Sequence, residues 1–414
     1  MFEKSFVVLV LLLSTSAFLN LRPVSNAADP DSGMPMMQVV WSVIYAIGLG
    51  LAVKHSTQVT ERLRRNGWLV LIIAFTVSSV LWSEDPSLTF RRGVALICTT
   101  VFGIYFAERY PVGQQLRFIA VAYAIVAVFS ITFQVLGLGT AVDIDVPGWI
   151  GVYDEKGSLG SNMALAAGVL LLIRSSDLKY RNWATVGLVT AIGLLLLARS
   201  MTAIFMLAGA VTVLFLSKKI RTMSYRAIVL TLLIIAPNLL YATLWVFRNL
   251  EFVTGLLGKD PTLTGRVQLW VLSVAMALQR PWRGYGYSAF WHGYNGPSAS
   301  IWHLLKWHPP HSHSGFLEVW LGMGLVGLAI FLIGFGVYFV RTIRYLRDNE
   351  GVEYCWPLMF FVLMFLSNLT GANILSRNSI FWIVYVAMCV LTLTPHKKIG
   401  TSVEPIRRMP GQYA

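Results

Sequence analysis

The chain has 414 residues, 56% of them hydrophobic and 13% charged, with a formal net charge of +14. So few charged groups cannot cover a water-soluble surface, which excludes an ordinary globular protein and makes lipid the solvent. The positive charge does not point to nucleic acid, because Lys and Arg cluster in the connectors between apolar runs, where membrane topology signals belong.

A membrane helix needs about 20 apolar residues. On that template twelve runs stand out, near 5–21, 37–53, 67–82, 93–108, 117–136, 160–174, 183–198, 201–216, 227–247, 316–340, 355–372 and 379–394. The first also fits a signal peptide, with Lys4 ahead of an apolar core and Ser25-Asn26-Ala27 as a small-residue cleavage site. The expected architecture is an all-α integral membrane protein of about twelve transmembrane helices. Spans one to nine fill 1–247, a long polar loop fills 248–315, spans ten to twelve fill 316–394, and a basic tail fills 395–414. Cys98, Cys355 and Cys389 all lie in apolar runs and read as small hydrophobes, not as a disulfide framework or metal site.

Charge sets the orientation. With both termini inside, the connectors KHSTQVTERLRR, SKKIRTMSYR and RTIRYLR all face the cytoplasm, and 21 of the 33 Lys and Arg lie on that side. The long loop then faces outward, into the periplasm of a Gram-negative envelope, and the protein sits in the inner membrane. Loops without work are usually short. This one stays polar for roughly 65 residues, and 248–321 holds four Arg, two Lys and five of the seven His. The chemistry is expected here.

Topology does not require the outer cations Arg91, Arg92, Lys156, Arg199, Arg266, Arg280, Arg283 and Arg377, which stand where spans meet the surface. Each is compatible with snorkelling to lipid phosphate. Together they suit an anionic ligand over the mouth of a bundle. Arg199 sits in a tight turn between two apolar runs, at the depth of a lipid headgroup. Its planar fork of donors suits two neighbouring phosphate oxygens, although a plain topological turn remains open.

The stretch LTGRVQLWVLSVAMALQRPWRGYGYSAF predicts an amphipathic helix on the membrane surface. Val267, Trp270, Val271, Val274 and Leu278 recur at helical spacing, and Pro281 ends the helix. Arg266 falls in its first turn, where free amide hydrogens also favour an anion. Tyr285 and Tyr287, in the glycine-containing segment that follows, offer faces for sugar rings or anchors at the membrane interface.

In HLLKWHPPHSHSGFLEVWLGMGLVGL the prolines stop any preceding helix, so His313 stands at the outer end of span ten. His303, His308, His311, His313 and Glu318 are enough ligands for zinc, but HExxH and CxxC spacings are absent and no metal or other cofactor is expected. A general base fits better, since imidazole titrates near neutrality and a helix N-terminus biases it toward the neutral form. Solvated loop histidines are the alternative. WSEDPSLTFRR (82–92) and GVYDEKGSLG (151–160) add Arg91, Arg92 and Lys156 as possible headgroup contacts.

These four patterns together, WSEDPSLTFRR, GVYDEKGSLG, TGRVQLW with PWRGYGY, and HSHSGFLEVWLGMGLVGL, resemble the O-antigen ligase and O-antigen polymerase (Wzy-like) superfamily, most of all the ExoQ-type exopolysaccharide production proteins. The last pattern registers His313, Ser314, Leu317, Gly324 and Gly327. The chain departs from it at Ser314, where Asn is common, at Gly157 after Lys156, and at Val267 after the TGR. The resemblance implies a GT-C-like, metal-independent, inverting glycosyltransferase whose donor is an oligosaccharide on undecaprenyl diphosphate. His313 would take the proton of the acceptor hydroxyl, with Arg199 and Arg266 on the diphosphate. His311, Lys156, Arg91, Arg92, Arg283, Tyr285 and Tyr287 would contact substrate. Chain-length regulator and export proteins are further partners it implies, beside membrane lipid. Polymerisation of repeat units is the expected reaction. Rivals are ligation of a glycan to a lipid A core or other acceptor, transport of a lipid-linked oligosaccharide, and a structural subunit of an export complex. Transporters carry charged or broken helices at mid-membrane, whereas here the polar residues gather on one outer face.

Overall fold

The computed structural model describes residues 2–17, 35–137, 148–224, 265–305 and 307–393, with three residues between 226 and 230. Most of the ninth expected span, all of 248–264, the possible cleavage site near Ser25 and the basic tail lie outside the described residues. Among the described residues the secondary structure is helical throughout. The helices are α1 Phe2–Leu13, α2 Pro35–Lys54, α3 Ser56–Arg65, α4 Gly67–Ser78, α5 Pro86–Arg109, α6 Val112–Val135 and α7 Lys156–Ser176. They continue with α8 Arg181–Leu197, α9 Met201–Thr222, α10 Arg266–Gln279, α11 Ala299–Leu304, α12 Gly315–Asp348, α13 Trp356–Ser367 and α14 Ile380–Leu391.

Seven described helices are long and apolar enough to cross a membrane: α2, α5, α6, α7, α8 with the turn before it, α9 and α12. They match the second, fourth to eighth and tenth expected runs. The third run, 67–82, folds as α4 continued by a 3-10 turn to Trp82, and this helix is bent 91° from α3. The eleventh and twelfth runs also fold as 12-residue helices, α13 and α14. Twelve residues rise only about 18 Å. What shortens α13 is Asn368, whose side-chain oxygen accepts from the backbone N–H groups of Asn373 (2.7 Å) and Ile374 (3.1 Å) and folds the next segment back on itself. All three cysteines are free.

The core forms around α7 and α14. α7 packs on α6, α8, α9 and α13, and α14 packs on α5 and α13. The small residues of α7 permit these close approaches; a side chain at Gly160 would lie 2.7 Å from Ser200 Cβ. Trp356 and Trp382 are wholly buried. The first turn of α5 is fixed locally: the Asp85 side chain accepts from Leu88 N at 2.9 Å and Pro86 stands at the first helical position.

The polar loop is not a loose excursion. α10 and α11 pack on the first half of α12 through a second apolar core of Leu269, Ala277, Tyr285, Phe290, Trp291, Trp302, Leu317 and Leu321. The face of α10 turned to the protein is Leu269, Ser273 and Ala277, while Val271 and Leu278 of the expected apolar stripe are exposed. The expected single stripe is therefore divided: Trp270 and Val274 pack against the second core, while Val271 and Leu278 face outward.

α12 itself is broken. Gly324 has φ 67° and ψ −174°, which interrupts the helical hydrogen bonds, and the segment 281–286 fills the gap. Tyr285 N donates to Leu321 O (2.8 Å), Gly286 N to Gly322 O (2.9 Å), and Leu325 N to Pro281 O (2.7 Å). Trp320 Nε1 also donates to Pro281 O, at 3.2 Å. The break thus exchanges helix bonds for bonds to the PWRGYGY segment.

Candidate functional site: a buried histidine pair at converging helix starts

Four helix starts come together on one face. The first turns of α7 and α9 meet at Gly160 and Ser200. Glu155, the residue before α7, shares a cluster with His311 and His313, the two histidines before α12: their ligand-capable atoms lie within 4.8 Å of one another. Arg266, the first residue of α10, acts electrostatically on all three. Aligned helix dipoles give this meeting point a positive bias.

His313 is the most constrained member. It is 6% exposed and holds a left-handed backbone, φ 50°, a conformation that costs free energy for a side chain of this kind. Its backbone N–H donates to His311 Nδ1 at 3.1 Å, which puts the His311 proton on Nε2. The two rings meet edge to face with centroids 4.3 Å apart. Nδ1 of His313 is buried without a hydrogen-bond partner. Burial, then the neighbouring His311 and Arg266, pushes its pKa down to about 2, so the ring is neutral. Burial also lowers His311, against the pull of Glu318 and Asp154.

Glu155 and Arg266 are matched in the opposite sense. Burial and the adjacent Asp154 raise the Glu155 carboxyl, while Arg266 holds it down. Ser158 Oγ lies 3.2 Å from its Oε1. Burial lowers Arg266, offset by Glu155. Among the described residues the Arg266 guanidinium makes no ion pair within 4 Å and no side-chain hydrogen bond. A buried cation without a close partner is costly and suits an anion that arrives with substrate.

On the far side of His311 lies a cavity of about 270 Å³. Arg92 and Arg377 supply its cations, Glu318 its carboxylate, and Trp291 and Trp302 its aromatic wall. Arg92 donates to Ser288 O at 2.6 Å. Glu318 Oε2 takes Ser312 N (3.1 Å) and Trp291 Nε1 (3.0 Å), with Ser312 Oγ 2.9 Å away.

The other expected site residues divide. Arg199 is exposed on the α8–α9 turn with φ 51°, and its neighbour Leu197 accepts from Trp149 N at 2.9 Å. The Lys156 stem lies on the same segment, since a side chain at Gly148 would meet its Cδ at 3.0 Å. Tyr287 lines the cavity, with its hydroxyl donating to Leu375 O at 2.6 Å. Tyr285 is packed in the second core, its hydroxyl on Met276 O at 2.9 Å. Arg91 and Arg283 are exposed and line neither cluster nor cavity; Arg283 stands over the Trp82 ring. Of the five zinc candidates, His303 and His308 gather around Tyr294, away from any grouping with His313. Glu155 and Arg377 have no local motif that separates them from other outer charges; only the fold brings them to the site.

Residues 184–332 match the Wzy_C family, described as O-antigen ligase. The chain is also 23% identical over 392 residues to the exopolysaccharide production protein ExoQ of Rhizobium meliloti (strain 1021), covering 91% of this chain and 88% of the relative. The superfamily resemblance carried by the four motifs is supported at both scales.

Proposed function

From these similarities to O-antigen ligases and to an exopolysaccharide production protein, we propose that this protein is a multi-pass inner-membrane glycosyltransferase that joins undecaprenyl-diphosphate-linked repeat units into exopolysaccharide. The observation that carries the reading is the buried, neutral imidazole of His313, whose Nδ1 has no hydrogen-bond partner among the described residues, together with the Arg266 guanidinium, which has no ion pair among them. The acceptor hydroxyl attacks the anomeric carbon from the face opposite the diphosphate, which inverts the centre. The new C–O bond forms as the bond to the diphosphate oxygen breaks. The hydroxyl proton passes to His313, and the departing electron pair stays on the diphosphate, held by Arg266 and by Arg199 on the neighbouring turn. The imidazole is a weak base in the empty site. It strengthens as the anionic donor offsets Arg266, so proton acceptance is tied to substrate binding. The diphosphate is already a good leaving group, so the reaction needs no metal.

The twelve-span topology, the GT-C-like assignment and the outward orientation of 248–315 are part of this reading, supported by the distribution of Lys and Arg. Transfer to a lipid A core or other acceptor is the second reading, favoured by the ligase description of the family over 184–332; it uses the same donor chemistry. The deciding experiment incubates purified protein in detergent with undecaprenyl-diphosphate repeat units and EDTA. A ladder of longer glycans from wild type, absent with His313→Ala, supports the metal-independent polymerase. Transfer only to an added acceptor lipid supports the ligase. No transfer by well-folded protein refutes both and returns the transporter and scaffold readings.

A further inference from the structure

The cavity beside His311 is walled by four parts of the chain: α5 at Arg92, the segment from Tyr287 to His311, the first half of α12, and the turn between α13 and α14. His311 belongs both to this wall and to the cluster with Glu155 and His313. The cavity therefore adjoins, through His311, the cluster that holds the proposed base. Its size, about 270 Å³, sits just below the roughly 300–1,000 Å³ of pockets that enclose a drug-sized ligand. One or two sugar rings fit; a whole repeat unit does not.

Its chemistry is selective. Two guanidiniums, Arg92 and Arg377, and one carboxylate, Glu318, line it. Glu318 is already held by Ser312 and Trp291 and makes no ion pair with either Arg among the described residues. Arg92 is anchored on the Ser288 carbonyl. Arg377 makes no ion pair and no side-chain hydrogen bond among the described residues. A half-buried guanidinium left open in a cavity is a donor fork awaiting an oxyanion. Trp291 and Trp302 supply apolar surface for a ring face beside it.

Resting on the transferase reading above, we propose that this cavity is an acceptor subsite for an acidic saccharide, a sugar ring bearing a carboxylate or phosphate that Arg377 and Arg92 bind. Glu318 accepts from ring hydroxyls, and the ring presents its reacting hydroxyl toward His313. The tryptophans exclude water from the ring face.

The test combines binding and transfer with the full-length protein in detergent. Ligand-observed NMR compares methyl glucuronide, glucose 6-phosphate and methyl glucoside as probes, so that carboxylate and phosphate are separated from a neutral ring. Binding of one or both acidic sugars is expected, weakened roughly tenfold or more in Arg377→Gln, with Arg377→Lys between the two and thermal stability unchanged. In transfer assays Arg377→Gln is expected to raise KM for an acidic acceptor at little cost in kcat, and to leave a neutral acceptor unaffected. Equal binding of acidic and neutral sugars, absence of binding, or insensitivity to Arg377→Gln overturns the subsite while glycan transfer continues to support the enzyme. Arg377-dependent binding without any transfer keeps the subsite and refutes the enzyme reading.

Discussion

Replacing Gly324 with alanine sets a methyl group into the carbonyl of Trp282 and the amide nitrogen of Arg283. It also asks a side-chain residue to hold φ 67° and ψ −174°. That backbone region belongs essentially to glycine, and occupying it costs about 1–3 kcal/mol. The overlap is with backbone, which cannot rotate away, so the 281–286 segment must withdraw from α12. Four backbone hydrogen bonds between them then go: Tyr285 to Leu321, Gly286 to Gly322, Leu325 to Pro281 and the longer Val326 to Trp282. At about 1 kcal/mol each, the total is roughly 5–7 kcal/mol, a large part of a typical folding stability. Thermal unfolding in detergent is expected to drop by roughly 10 °C or more, with loss of transfer activity because the same segment leads directly into the cavity wall at Tyr287. Gly336→Ala in the same helix meets nothing within 4 Å and serves as the control, neutral or slightly stabilising. A Gly324→Ala protein with wild-type unfolding temperature and activity would refute the account of the broken helix.

The pH dependence of stability follows from His313. Its folded pKa is depressed to about 2, so below about 6.5 the unfolded chain binds a proton that the folded chain refuses. Stability is full above that range and falls toward acid, by up to about 1.4 kcal/mol per pH unit. His313→Gln should flatten the slope in acid unfolding curves. Glu155, raised by burial, opposes this just above the ordinary carboxylate range, so Glu155→Gln should steepen it there; no change in either variant would refute the assignment. Arg221 donates to the carbonyls of Leu346, Glu350 and Gly351 and closes the end of α12. Arg221→Ala should cost about 2 kcal/mol after discounting for partial exposure, seen as a lower unfolding temperature that lysine only partly restores. Added zinc should inhibit transfer by bridging Glu155, His311 and His313, and Glu155→Gln should relieve that inhibition; equal inhibition of both proteins would exclude this cluster as the zinc site.

Much of the architecture was legible because membrane helices are written in composition. A run of apolar residues bounded by Lys and Arg has few other solutions in lipid, and seven of the runs fold as helices long and apolar enough to cross a membrane. The candidate site was sought in 248–321 for a related reason: its five histidines and four arginines have no topological task. What sequence could not supply was distance between segments. Glu155 lies 156 residues before His311 and Arg377 lies 64 after His313, and no periodicity links them. They meet because small residues let α7 and α9 approach, because Asn368 ends α13 early, and because Gly324 opens α12 to the PWRGYGY segment. Nor could spacing tell that Tyr285 is committed to a core while Tyr287 edges a cavity. The sequence by itself determined a lipid-dissolved helical protein with a basic, histidine-rich site. Only tertiary packing decided which imidazole is buried and neutral, because burial is a property of all the segments that surround a residue.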